Sequence, residues 1–128
     1  MEFTISKYEA RFATNFEKGA FYIGVLLGYY LENGRNRRWY IEEVNNRMHN
    51  YPLIIKSILP KLYYVILKEN LDTEEVKRLF AKASEYLAIS TEEEEVAWEK
   101  ICFAFGLGQG LWMNVLDEMF FNEILSYD

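Results

Sequence analysis

Histidine, cysteine and proline are nearly absent from this chain: His49 and Cys102 stand alone, and only Pro52 and Pro60 interrupt its 128 residues. A lone histidine excludes histidine-rich metal sites. A lone cysteine excludes an internal disulfide framework, and the apolar neighbours Ile101 and Phe103 predict a buried, reduced thiol in a cytoplasmic protein. Long hydrophobic runs are missing too. The longest uncharged stretch, Ile101 to Leu116, falls short of the ~20 residues a bilayer-crossing helix needs, and it contains Gln109 and Asn114. It is expected in a core, with no membrane partner. The opening Met-Glu-Phe-Thr, followed by charges at Lys7, Glu9 and Arg11, does not have the form of a secretory leader.

The groupings that carry chemistry are missing as well. A nucleophile beside its base would have to come from Cys102 and His49, which are far apart in sequence, and His49 beside Asn50 and Tyr51 reads as a helix-end residue. Gly106-Leu107-Gly108-Gln109-Gly110 contains G-x-G but lacks the preceding strand and the third glycine of a dinucleotide fingerprint, and the Lys-Ser/Thr of a P-loop. The run Glu92 to Glu95 follows Ser90-Thr91, a capping-box pattern that suits the positive end of a helix dipole better than a metal. The expectation is a non-enzymatic protein with no metal and no cofactor.

What the chain does have is aromatic mass and glycine. Hydrophobic residues make up 51% and aromatics 17%, which excludes disorder and leaves aromatic surface for an interface or self-association. One phrase occurs twice: Phe21-x-x-Gly24-x-x-x-Gly28 and Phe103-x-x-Gly106-x-x-x-Gly110. A helical glycine costs about 1 kcal/mol relative to alanine, so glycines four apart in apolar segments predict close helix crossings at Gly24, Gly28, Gly106 and Gly110.

The apolar periodicity predicts helices throughout. Phe16 to Leu31 is apolar nearly all round, as a central buried helix would be, and Asn33-Gly34 supplies its stop. A shorter helix from about Arg37 to His49 puts Tyr40, Ile41, Val44 and Met48 on one face, with Glu43 and Arg47 paired outside. Pro60 predicts two short helices or one kinked helix across residues 51 to 67. After Leu71-Asp72-Thr73 comes an amphipathic helix with Val76, Leu79, Phe80, Ala83 and Leu87 inward. A last helix resumes after Gly110, with Leu111, Trp112, Val115, Leu116, Met119 and Phe120 on one face. The fold class is all-α: a compact single domain over residues 1 to 128, a bundle of five to seven helices.

Charge is uneven. The net charge is −6, divided into +3 over residues 1 to 61 and −9 over residues 62 to 128. Arg35, Arg37 and Arg38 adjoin Trp39 and Tyr40 in the only dense basic cluster, a combination that can grip phosphates while an aromatic ring packs on sugar or base. Arg47, Lys56 and Lys61 extend it if the following helices fold back alongside. The alternative is that Trp39 is core and the arginines pair with Glu32, Glu42 and Glu43.

Four segments in order, Ala20 to Gly28, Ile58 to Leu62, Ala83 to Leu87, and Ser90 to Glu95 leading to Phe103 to Gly108, carry a resemblance. Over roughly residues 16 to 110 the chain resembles the small-subunit-like helical C-terminal region of the large subunit of type I-B CRISPR effector complexes. That resemblance implies a non-catalytic helical bundle that contacts backbone subunits of an RNA-guided complex and the guide or target nucleic-acid backbone, sequence being read by the guide. Small subunits commonly present a basic groove, whereas residues 62 to 128 are acidic. Two other readings therefore stand beside it: an acidic protein that mimics or inhibits such a subunit, and a helical adaptor unrelated to nucleic acid.

Overall fold

A computed structural model describes residues 8–36, 43, 44, 47, 55–89 and 98–112. Among these, a short 3-10 turn (Glu9–Arg11) precedes four α-helices, α1 (Asn15–Asn33), α2 (Ile55–Lys68), α3 (Glu74–Ile89) and α4 (Trp98–Trp112). No strand occurs among the described residues. The all-α class is therefore observed, with one helix fewer than the lower bound of the sequence expectation; the segment from Arg37 to His49 and everything after Trp112 lie largely or wholly outside the described residues.

The central position of α1 follows from its sequence. Thr14 starts it, because its Oγ1 accepts the Glu17 amide at 3.1 Å and donates to Glu17 Oε1 at 3.1 Å, satisfying a first-turn donor. From Phe16 to Leu31 every residue but Lys18 is buried, so all sides of the helix meet other protein groups. Gly34 ends it by donating its amide to the Tyr30 carbonyl at 2.6 Å. This glycine does not use a left-handed backbone, since its φ is −81°. It is needed because the Tyr30 ring lies where a Cβ would be.

Helices α2, α3 and α4 each bury one stripe against α1. In α2 the stripe is Ile55, Ile58, Leu62 and Ile66, at spacings of three and four. The helix runs unbroken through Pro60, in place of two short helices. Pro60 and Lys56, whose carbonyl would have received the missing amide, are both exposed, so water can satisfy that carbonyl. Asn70 closes α2 at φ 57°, with Leu71 N donating to Ile66 O and Asn70 N to Leu67 O, the double bond pattern of a left-handed helix stop. Thr73 then caps α3, accepting the Val76 amide at 3.2 Å. The inward face of α3 is Val76, Leu79, Phe80, Ala83 and Leu87, as the periodicity predicts.

The most extensive packing is between α1 and α4, and glycine makes it possible. A Cβ on Gly24 would collide with the carbonyl oxygen of Phe105, and one on Gly108 with the carbonyl oxygen of Phe21. The two backbones therefore touch, each helix setting a glycine into the other's groove. The crossing phase on α4 differs from the sequence expectation. Gly106 is exposed and an added Cβ there would meet nothing within 4 Å among the described residues, so it does not face α1. Ile101, Ala104, Phe105, Leu107 and Gly108 are buried, placing Gly108 at the contact in place of Gly106. Gly110 is half-buried and Gly28 is buried on α1. Helix α4 continues through all three of its glycines to Trp112 without a restart.

Candidate nucleic-acid interface

Among the described residues, Arg35 and Lys56 do not share one patch. Arg35 is exposed just beyond the C-terminus of α1. Lys56 stands near the opposite end of that helix, its Nζ 5.8 Å from the centre of the Phe16 ring. At 1.5 Å rise per residue the interval from Phe16 to Asn33, the end of α1 beside Arg35, is about 26 Å, too far for Lys56 to extend the arginine cluster. Lys61 is exposed on α2 but five residues from Lys56, a rotation of about 140°, so the two face different directions. Arg47 is paired with Glu43 at 2.9 Å on the outside, the i,i+4 pair the sequence predicts. Arg37 and Arg38 lie outside the described residues, as do Trp39, His49 and the Ser90 to Glu95 capping box.

The structure does anchor the start of the arginine run. Glu69, just past α2, accepts the Tyr30 hydroxyl on Oε2 at 2.5 Å and the Arg35 amide on Oε1 at 2.6 Å. The same Tyr30 oxygen receives the Asn36 amide at 3.4 Å. One carboxylate thus ties the last turn of α1, the residues after it and the end of α2 into a single knot, leaving the Arg35 side chain in solvent. Lys68, exposed and adjacent to Glu69, belongs to this end of the bundle and was not anticipated. No local pattern marks Lys68, because its proximity to Arg35 arises only when α1 and α2 lie side by side with their C-termini together.

A second carboxylate knot holds the other end. Glu9 accepts the Tyr22 hydroxyl on Oε2 and the Tyr86 hydroxyl on Oε1, both at 2.5 Å, joining the 3-10 turn to α1 and α3. The Tyr22 and Tyr86 rings stack at 6.0 Å, and Lys18 Nζ sits 5.6 Å from the Tyr86 ring centre. Burial works to raise the Glu9 carboxyl, but the two hydroxyl donors, together with Lys82 and Lys18, outweigh it and hold Glu9 below its usual range. Tyr86 is pushed up to about 12 by burial and by its bond to the Glu9 carboxylate. Such pinned hydroxyls and carboxylate are held in place by one another, an arrangement that serves cohesion.

Two further features lie apart from the carboxylate knots. A groove of about 480 Å³ lies between Phe12 and Phe103, but its lining interleaves Arg11 and Lys100 with Glu17 and Glu99, so its charges favour no one ligand class. Cys102 is half-buried, not the fully buried thiol expected from its neighbours, because position 102 falls beside the inward stripe of Ile101, Ala104 and Phe105. No cluster of three or more His, Cys, Asp or Glu suited to a metal occurs among the described residues. No helix among them is long and apolar enough to cross a membrane.

No family model matches the chain, and neither a curated protein nor a solved structure matches it.

Proposed function

We propose that this chain is a non-catalytic, small-subunit-like component of a CRISPR RNA-guided effector complex, contacting neighbouring protein subunits and the nucleic-acid backbone. The observation that supports this reading is the Glu69 anchor. It pins the backbone at Arg35, the first residue of the Arg35 to Arg38 run, to the end of the bundle and leaves the Arg35 side chain exposed beside the Lys68 end of α2. Fixing the backbone at Arg35 removes that part of the ordering cost when its side chain meets a phosphate. Arg37 and Arg38 follow in sequence. The contact is with backbone, so it carries no sequence preference of its own.

The test is restoration of target binding. Added to an effector complex lacking its small subunit, the chain restores target DNA binding, and changing Arg35, Arg37 and Arg38 to Glu lowers affinity without altering sequence preference. The dependence of binding on salt becomes shallower in that variant, because fewer counterions are released. A second reading is supported by charge: with −9 over residues 62 to 128, the chain would occupy the complex as an acidic mimic and block it. Inhibition in place of restoration selects that reading. Failure to bind the backbone subunits selects an unrelated helical adaptor.

A further inference from the structure

The outer face of α2 differs from the rest of this acidic protein. The helix holds Lys56, Lys61 and Lys68 and no acidic residue. It also holds three of the described residues' exposed large apolar side chains, Tyr63, Tyr64 and Leu67, with Tyr64 at 64% exposure. Lys61, Tyr64 and Lys68 fall within a sector of about 60° on the helix, and Tyr63 and Leu67 form the adjacent row at i,i+4. The apolar row borders α3, where the Tyr63 ring packs edge-on against Phe80 at 4.9 Å. The nearby Glu69 carboxylate is turned to the Tyr30 hydroxyl and the Arg35 amide.

We infer that this face of α2 docks an amphipathic helix of a partner protein whose apolar residues are flanked by carboxylates. Charge complementarity and side-chain type select this occupant. Two rows, one basic and one apolar, match a helix that places Leu-like residues on Tyr63, Tyr64 and Leu67 and Asp or Glu opposite Lys61 and Lys68. A second copy of this chain, docked α2 to α2, sets lysine against lysine. A nucleic-acid strand uses Lys61, Tyr64 and Lys68, but it leaves the Tyr63 and Leu67 row without a role. The inference concerns the outer face of α2, which shares Lys68 with the arginine end but is centred on Tyr63, Tyr64 and Leu67.

The experiment uses the full chain and designed helical peptides. One peptide places Leu along one face and Glu along its flanks; a second replaces every Glu by Lys; a third keeps the Glu and replaces Leu by Ser. Binding is followed by amide chemical-shift changes. The Leu/Glu peptide is expected to bind with shifts centred on residues 60 to 68, and the other two are not. Tyr64→Ala weakens it by about tenfold, in keeping with loss of a central aromatic anchor. The double variant Lys61→Glu with Lys68→Glu reverses the preference to the Leu/Lys peptide, a switch that general destabilisation cannot produce. All these side chains are exposed, and far-ultraviolet circular dichroism verifies the fold of each variant. Equal binding of the Leu/Glu and Leu/Lys peptides, binding of neither, or displacement of the Leu/Glu peptide by an oligothymidine strand that itself requires Tyr64 overturns the inference.

Discussion

Gly24 on α1 lies against the carbonyl oxygen of Phe105 on α4, so close that a Cβ could not be accommodated without moving one backbone. The contact is reciprocated by Gly108 against Phe21. Overpacking at such a contact costs roughly 1 to 3 kcal/mol, since the obstacle is main chain and cannot rotate away. Gly24→Ala and Gly108→Ala should each lower the denaturation midpoint accordingly. Gly106→Ala should be neutral or stabilising by about 0.4 to 1 kcal/mol, because it removes helical glycine in open space. Chemical denaturation of the three variants side by side checks both the crossing and its phase.

The Glu9 knot predicts loss of stability at both ends of the pH scale. Folding lowers the Glu9 pKa below its ordinary value of 4.5, so its contribution is present above that value and is lost as pH falls through the lower folded value. Tyr86 works in the opposite sense. Its pKa rises from 10.0 to about 12, so its contribution is whole below pH 10 and disappears as pH climbs towards 12. Tyr86→Phe should flatten the alkaline decline, and Glu9→Gln should flatten the acid decline, in thermal melts across pH.

At the Glu69 knot, the partner left behind decides the cost. Tyr30 is fully buried, and Glu69→Ala removes the carboxylate that accepts its hydroxyl, at a cost of about 1 to 3 kcal/mol. Tyr30→Phe removes one member and should cost less, about 0.5 to 1.5 kcal/mol. A double-mutant cycle in urea should give a coupling of about 0.5 to 3 kcal/mol. Additive effects would show that the two residues do not interact.

Thr14→Ala removes the α1 cap and the hydroxyl that donates to the buried Glu17 carboxylate. The expected loss is about 0.5 to 2 kcal/mol, and Thr14→Ser should recover most of it, as both bonds use only the hydroxyl. Urea midpoints of the two variants provide the comparison.

Local periodicity and end signals were enough to place the helices that carry strong patterns. The inward face of α3, the all-round burial of α1, its stop at Gly34 and the Glu43 with Arg47 pair depend on residues within one or two turns of each other, so they can be read from spacing alone. Tertiary packing decided what spacing leaves ambiguous. On α4 Ala104, Gly106, Gly108 and Gly110 are all small, and only docking on α1, with Ile101 and Phe105 inward, sets Gly108 and not Gly106 against the α1 backbone. Pro60 is accommodated because its side of α2 meets solvent, a fact of the bundle and not of the local sequence. The two carboxylate knots join residues 13, 39 and 77 positions apart, and such distant polar partners have no periodic trace. The same holds for the basic surface: one-dimensional proximity grouped Arg35 with Lys56, while parallel packing of α1 and α2 sends Lys56 to the far end and brings Lys68 near in its place.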